Sequence, residues 1–395
     1  MSKIKFTEAI SFVGTTPAPF EDEKKYISTG AVDKFSIDEK EIEMITYGKR
    51  PSRANLAVRT GDIIFAKMAE TLKTLYIDDE LSKNIYSTGF CAVRANESVL
   101  TPQCLYYLVS SPAFLLQKDK HASGATQRAI TNNGMTNIIV NIPPLKDQKD
   151  CVRKLDAISL LIAYRKKQLV QFDKLVKSQF IEMFGSVNKA KYPVMRIGAV
   201  AKLQGGYAFK STDYMSNGVP IVQIANVNRD NLDWNEMNCV PAVFLEKYSE
   251  FALNPGDLVM AMTRPVIKSL NAVKLAVVSE QDVPCLLNQR VGRFRIERTK
   301  INRTYLMSCC QMQDFKDYVV AMSGNSLQPN ISSKQVENYS IVLPPIELQN
   351  KFAAFVKQTD KSKVLMERCI FLVNTLRKVE KTKGICYNIA SKEVV

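Results

Sequence analysis

Two long stretches of the chain carry a helical stripe of apolar residues, and each follows a mixed segment of short apolar runs broken by turn residues. After Pro143-Pro144 the stripe is Val152, Leu155, Ile158, Ile162, Leu169, Phe172, Val176, Phe180 and Met183, spaced mainly by threes and fours. After Pro344-Pro345 it is Phe352, Phe355, Val356, Leu365, Cys369, Leu372, Leu376 and Val379. No Gly or Pro interrupts either stretch before Gly185 and Gly384. The pattern predicts helices of roughly 35 residues, about 50 Å at ~1.5 Å per residue. A helix of that length needs a partner for its stripe. The other copy is the obvious one, through Leu155, Ile162, Leu169, Phe172, Val176 and Phe180 on one side and Phe352, Val356, Leu365, Leu372 and Leu376 on the other. The alternative is that each helix folds back on its own domain.

The mixed segments are themselves a repeat. Tyr26-Ile-Ser-Thr-Gly-Ala-Val32 resembles Ile221-Val-Gln-Ile-Ala-Asn-Val227, and Thr60-Gly-Asp-Ile-Ile-Phe-Ala-Lys-Met68 resembles Pro255-Gly-Asp-Leu-Val-Met-Ala-Met-Thr263. Ser123-Gly124 matches Ser323-Gly324, and Asn137 to Gln148 matches Asn338 to Gln349. The offset grows from about 195 to about 201 residues, as loop insertions in a tandem duplication produce. Gly-Asp pairs ahead of apolar runs read as turns entering strands. Thr101 to Lys118 and Asn302 to Val320 have helical spacing. The expected fold is therefore α/β (α+β): two tandem globular domains with mostly antiparallel sheets and a pseudo-two-fold internal repeat, joined by two long helices that form an antiparallel coiled-coil rod. The expected division is residues 1–145 and 188–345 as globular domains, with helical regions at 146–187 and 346–395.

Charge and composition narrow the function. The chain has 395 residues, too many for one hydrophobic core to span comfortably. Lys plus Arg is 54 against 39 Asp plus Glu, a net charge of +15. An excess of that size suits a polyanion, because neutralised phosphates release counterions. The nine cysteines are scattered without a CxxC pair, which reads as reduced thiols. The first residues lack the apolar stretch of a signal peptide, so a soluble cytoplasmic protein is expected. With one histidine, His121, a His-Cys zinc site and a Ser-His-Asp triad are excluded as ready readings. No P-loop or GxGxxG loop occurs, and Ile142-Pro-Pro-Leu145 and Leu343-Pro-Pro-Ile346 lack the polar and aromatic residues of an amino-methyltransferase motif.

A duplicated domain–helix unit, basic and without catalytic motifs, resembles the Type I restriction–modification specificity subunits. The resemblance rests on Gly206-Tyr-Ala-Phe-Lys-Ser211, Pro220 to Val227, Leu287-Asn-Gln-Arg-Val291, Gln328-Pro-Asn-Ile331, Leu343 to Gln349, Phe352-Ala-Ala-Phe-Val356 and Asp360-Lys-Ser-Lys363. Tyr86-Ser-Thr-Gly-Phe-Cys91 and Ile142-Pro-Pro-Leu145 look like their first-repeat counterparts. The repeats diverge over Ser52 to Thr74, as two domains reading different sequences would. The resemblance implies a non-catalytic subunit with two target-recognition domains, which reads a bipartite asymmetric site on double-stranded DNA. It implies two methyltransferase subunits docked on the helices, whose outward faces carry Arg165-Lys166-Lys167, Lys174 and Lys177. Restriction subunits would complete the assembly. S-adenosylmethionine, ATP and Mg2+ would belong to those partners and not to this chain.

Base edges are read by Arg, Lys, Asn and Gln, whereas phosphates need only positive charge or N–H groups. The loops from Ser123 and Ser323 supply Gln127, Arg128, Asn325 and Gln328. Lys49, Arg50 and Arg53 form one basic cluster, Arg264 and Lys268 another, with Lys210, Arg290 and Arg293 as further candidates. Tyr207 and Phe209 read as packing residues. Three other readings stay open: a stand-alone DNA-acting nuclease with an unrecognised site, a non-enzymatic scaffold for other proteins, and a specificity subunit of a methylation-only system.

Overall fold

The computed structural model describes residues 2–125, 127–324 and 328–385, with backbone alone for Asn188, Lys268 and residues 376–385. Packing divides the chain into two compact units. One comprises the chain up to Lys167 together with the chain from Met366; the other is Gln168–Leu365. Each unit therefore contains one mixed domain and part of both long helices.

The two mixed domains share the strand order of their main sheet, four antiparallel strands in each copy. In the first, strands run in the spatial order Ile10–Val13, Phe90–Ala95, Ile63–Ala66, Thr74–Tyr76, all antiparallel. In the second the order is Ala201–Gly205, Val291–Ile296, Leu258–Ala261, Leu275–Val277, and Arg229–Asp230 then joins in parallel. Register agrees too, with Val93 opposite Ile63 and Phe294 opposite Leu258. A smaller sheet in each domain contains one parallel pair, Lys24–Ile27 with Ile85–Ser87 and Val219–Val222 with Leu286–Leu287. Parallel strand pairing thus occurs once in the first copy and twice in the second.

The Gly-Asp turns form as read. Gly61 and Gly256 take φ of 86° and 90°, a left-handed conformation that glycine adopts without a Cβ penalty. The Asp62 carboxylate then accepts from the Arg59 N–H at 2.8 Å, and Asp257 from the Asn254 N–H at 2.9 Å. The helical segments after the sheets are each broken in two: Pro102–Val109 and Pro112–Lys120, then Arg303–Gln311 and Gln313–Ser323. In the first copy Ser111 caps the second helix through the Phe114 N–H, and Pro112 has no N–H to continue the first.

The strand ahead of each Pro-Pro returns to the start of its own domain, Ile139–Ile142 against Ser2–Lys5 and Ser340–Val342 against Val194–Arg196. The long helices begin directly after, at Leu145–Phe184 and Ile346–Ile385, each 40 residues. They are longer than the apolar spacing predicted, because the first turn starts at the residue after the second proline. Leu155 is buried in the first core with Phe6, Ile63, Val93 and Phe114. Phe180, Phe184 and Phe352 are buried in the second with Leu258, Phe294 and Tyr305.

Within Gln168–Leu365, the Phe180 and Phe352 rings lie 5.5 Å apart and Asp173 meets Lys363 at 2.8 Å. In the other unit, the Arg165 guanidinium lies 3.4 Å from Met366 Sδ. Ile162 is buried, and Leu169, Phe172, Val176 and Val356 are half-buried. Two expected pairing residues are corrected here: Leu365 and Leu372 are 59% and 60% exposed. Phe352, the buried Thr359 and the half-buried Met366 and Val373 recur every seventh position, and Leu365 lies about 100° around the helix from Met366. The side chain of Leu376 lies outside the described residues.

Candidate nucleic-acid interface

In the first domain, strand Ile63–Ala66 runs from the Gly-Asp turn into the segment Lys67 to Thr71. A buried amine holds that segment. Lys118, 1% exposed, donates to the carbonyls of Ala66 at 3.3 Å, Met68 at 2.8 Å and Thr71 at 2.7 Å. Burial lowers the affinity of this amine for its proton, and Asp119 at 3.8 Å opposes that. The Ser-Gly loop pairs against the same segment. Met68 bridges Ala129, the Ala69 N–H donates to the Arg128 carbonyl at 2.9 Å, and Ser123 and Ala129 exchange hydrogen bonds at 3.0 and 2.9 Å. Gly124 has φ of 126°, and a Cβ there would stand 2.4 Å from the Gln127 carbonyl oxygen, so only glycine closes this loop.

The result is a concavity of about 270 Å³ lined by Thr29, Arg53, Lys67, Lys73, Thr88 and Gln127, among others. Lys67 donates to the Thr88 carbonyl at 3.0 Å and Lys73 to the Thr29 carbonyl at 2.7 Å. Arg53 and Gln127 are exposed beside them. Arg128 is exposed as well, with its guanidinium on the Asp119 carbonyl at 2.7 Å. Lys49 and Arg50 sit apart from this lining. Lys49 is exposed at the end of the turn Tyr47–Lys49, and Arg50 stacks 4.0 Å over the Tyr47 ring and donates to its carbonyl at 2.7 Å.

The second domain builds the same arrangement with other side chains. After Leu258–Ala261, Thr263 bridges Asn330, and the Arg264 N–H donates to the Pro329 carbonyl at 2.8 Å. The Met262 N–H donates to the Arg290 carbonyl at 2.9 Å. Arg264, Arg290 and Gln328, far apart in sequence, are all exposed on these paired segments. Arg264 has φ of 48°, a turn conformation that sends the chain away from the sheet. Tyr207 joins from the side by bridging Asn288, while Gly206 lies so close that a Cβ would be 2.3 Å from the Leu287 carbonyl oxygen. Tyr207 is 36% exposed and packs on Tyr248 at 4.2 Å; Phe209 is buried; Lys210 is exposed. Asn325 and the Lys268 side chain lie outside the described residues.

Arg293 is a correction. It is 1% exposed, and its guanidinium donates to Asp257 at 3.1 Å, Gln204 at 2.9 Å and the carbonyls of Ala252 and Glu250 at 2.7 Å. It ties the Gly-Asp turn to its neighbours and cannot reach a DNA phosphate. Lys67, Lys73 and Lys274 were missed. Lys274 donates to the Ile224 carbonyl at 3.0 Å, as Lys73 does to Thr29, and each lysine directly precedes or opens the strand beside the Gly-Asp strand. Aligning the repeats through those strands would have found both. Burial and the neighbouring Arg264 lower the proton affinity of Lys274.

The lysine clamp gives a direct prediction. Lys118→Met keeps the buried stem but leaves three carbonyls without a donor. Thermal unfolding should show a loss of about 2–4 kcal/mol, at ~1–3 kcal/mol for a buried group left unsatisfied. A change under ~1 kcal/mol would remove Lys118 from this role.

Among the described residues, no helix is long and apolar enough to cross a membrane. Comparison with known proteins agrees with the duplicated plan. Residues 15–171 and 189–370 each match the type I restriction modification DNA specificity domain. The chain is 26% identical over 292 residues to the type I restriction enzyme MjaVIII specificity subunit of Methanocaldococcus jannaschii, covering 70% of this chain and 68% of that one. It is 25% identical over 224 residues to the EcoAI specificity subunit of Escherichia coli, spanning 55% of this chain but only 37% of that protein. A chain from a structural study of complex assembly and conformational transition of the type I R-M system shares its fold at a TM-score of 0.60, with 21% identity over 95% of this chain and 97% of the other. The type I S subunit of M. genitalium does so at 0.51, with 12% identity over 97% and 95%. With both domains matched, the chain belongs to the family of type I restriction–modification DNA specificity proteins.

Proposed function

We propose that this chain reads a bipartite, asymmetric site on double-stranded DNA and places two methyltransferase subunits, with restriction subunits in the full complex, upon it. The observation that carries this reading is the pinned Ser-Gly loop beside a cationic surface, built twice on one topology with different side chains. Arg53, Lys67 and Gln127 stand in one copy, and Arg264, Arg290 and Gln328 in the other. Equal scaffolds with unequal reading residues suit two different half-sites.

In this reading residues 1–145 and 188–345 are the recognition domains, and 146–187 and 346–395 are the helical regions. The helices pair as an antiparallel coiled coil. Supporting this, as the central helix falls from Phe180 through Asp173 to Arg165, its contacts on the C-terminal helix rise from Phe352 through Lys363 to Met366. The seven-residue recurrence is that of a coiled-coil seam. Leu160, Leu161 and Tyr164, with Val364, Leu365, Phe371 and Leu372, are exposed on these helices and would be covered by the methyltransferase subunits. The chain itself performs no chemistry and works in the cytoplasm. S-adenosylmethionine, ATP and Mg2+ are held by its partners.

Genome-wide detection of methylated bases, with the gene intact and deleted, tests the reading. Deletion should erase one bipartite motif and leave other methylation unchanged. An unchanged methylome when the chain is co-expressed with its neighbouring methyltransferase would overturn it.

A further inference from the structure

A charged cluster inside Gln168–Leu365 joins three elements. Asp173 on the central helix receives Lys363 of the C-terminal helix at 2.8 Å on one carboxylate oxygen. On the other it receives Arg229 at 2.9 Å, from the edge strand Arg229–Asp230 of the second domain's sheet. Arg229 also lies 3.4 Å from Asp230, and Lys363 lies 3.2 Å from Asp360. Burial alone would raise the pKa of Asp173, but the bonds from Lys363 and Arg229 outweigh it and hold the carboxyl below its ordinary value. Asp173 outweighs burial at Lys363 and raises that amine. Burial pushes Asp230 up.

The duplication makes this cluster unusual. At the equivalent positions of the other repeat stand Asn374 for Asp173, Ile162 for Lys363 and Lys34 for Arg229, so the set of charges exists once. Partly buried ion pairs add little net stability, because desolvation offsets attraction, yet a polar contact in an apolar helix seam fixes register. The cluster is also coupled to the reading surface through two strands. Arg229 pairs with Leu275, next to Lys274, and the Leu275 strand pairs with Leu258–Ala261, which leads into Met262 to Arg264.

We propose that Asp173 and Arg229 are positioning residues that fix how the second reading domain is carried on the helices, and so restrict the chain to one length of unread DNA between its half-sites. The proposal rests on the reading of the chain as a bipartite DNA reader. Its roles are separable: Lys363 and Asp173 set the helix register, and Arg229 ties the domain to it.

The full chain, co-expressed with its methyltransferase subunits, carries the test, read as genome-wide methylation. Arg229→Ala should keep both half-site sequences but methylate sites with spacers one base pair longer or shorter, at least tenfold above the wild-type level. Asp173→Asn should do the same, and Arg229→Lys should return the spacer to a single length. Strict spacing in both Arg229→Ala and Asp173→Asn, or changed bases in a half-site, would overturn the proposal. So would loss of assembled complex in both variants, since the cluster would then serve folding alone. A wild-type chain that directs no bipartite motif would instead overturn the function on which the proposal rests.

Discussion

Replacing Gln349 by alanine is expected to cost about 3–5 kcal/mol, and Gln148→Ala a similar amount in the other copy, at ~1–3 kcal/mol for each buried group left unpaired. Both glutamines are fully buried. Gln148 accepts from the Thr101 N–H at 2.8 Å and donates to the carbonyls of Val99 at 2.8 Å and Pro143 at 3.0 Å. Gln349 accepts from the Asn302 N–H at 2.8 Å and donates to Lys300 at 3.1 Å and Pro344 at 2.8 Å. The two circuits are the same. Each ties the first turn of a long helix to the residue that caps the helix beginning at Pro102 or Arg303, and to the proline that ends the preceding strand. Alanine removes all three bonds and leaves the N–H and both carbonyls buried. For a unit of this size the midpoint of thermal unfolding should fall by about 10 °C, at roughly 2–4 °C per kcal/mol. A shift below about 3 °C in both variants would show that the junction is held by packing instead.

The same glutamines show what could be read in the chain beforehand. Their motif, Pro-Pro followed four residues after the second proline by Gln, was visible as a repeat, and so were the Gly-Asp turns and the start of each long helix. Repetition marks a position as constrained without saying how, and the bonds that constrain Gln148 reach back to Val99 and Thr101, which no local pattern connects to it. Charge misled at Arg293, because an arginine in an alternating strand resembles a surface residue until its neighbours Gln204, Glu250 and Asp257 are folded around it. Leu365 and Leu372 failed for a different reason. The C-terminal helix has apolar residues on more than one face, and Thr359 and Lys363 occupy part of the face that packs. Polar seam residues are invisible to a search for apolar spacing. Spacing along the chain did not show that Arg264, Arg290 and Gln328 are neighbours: the segment after Gln328 pairs with Arg264, and Met262 pairs with Arg290, at the end of the Gly-Asp strand.

Arg264 and Arg290 are expected to lower DNA affinity when removed, whereas Arg293 is expected to lower stability alone. The contrast follows from exposure. Arg264 and Arg290 are open to solvent, so each neutralised phosphate contact should reduce the slope of log affinity against log salt by about one. The double variant Arg264→Ala, Arg290→Ala should bind about 100-fold more weakly at physiological salt, as ~1–3 kcal/mol for each lost arginine contact implies. Arg293→Met takes the cation from the Asp257 carboxylate and the guanidinium donors from the Ala252 carbonyl and the Gln204 amide oxygen, a loss of about 3–5 kcal/mol in thermal unfolding, as breaking one side of a buried pair costs. Below its lowered unfolding temperature, the Arg293→Met variant should retain the wild-type salt slope. Titrating the methyltransferase-bound chain with target duplex at several salt concentrations separates the two kinds of arginine. A double variant with an unchanged slope would remove Arg264 and Arg290 from the interface. If the affinity loss is larger on the recognised duplex than on an unrelated one, these arginines read bases; an equal loss on both assigns them to the phosphate backbone, which positions the domain without informing it of sequence.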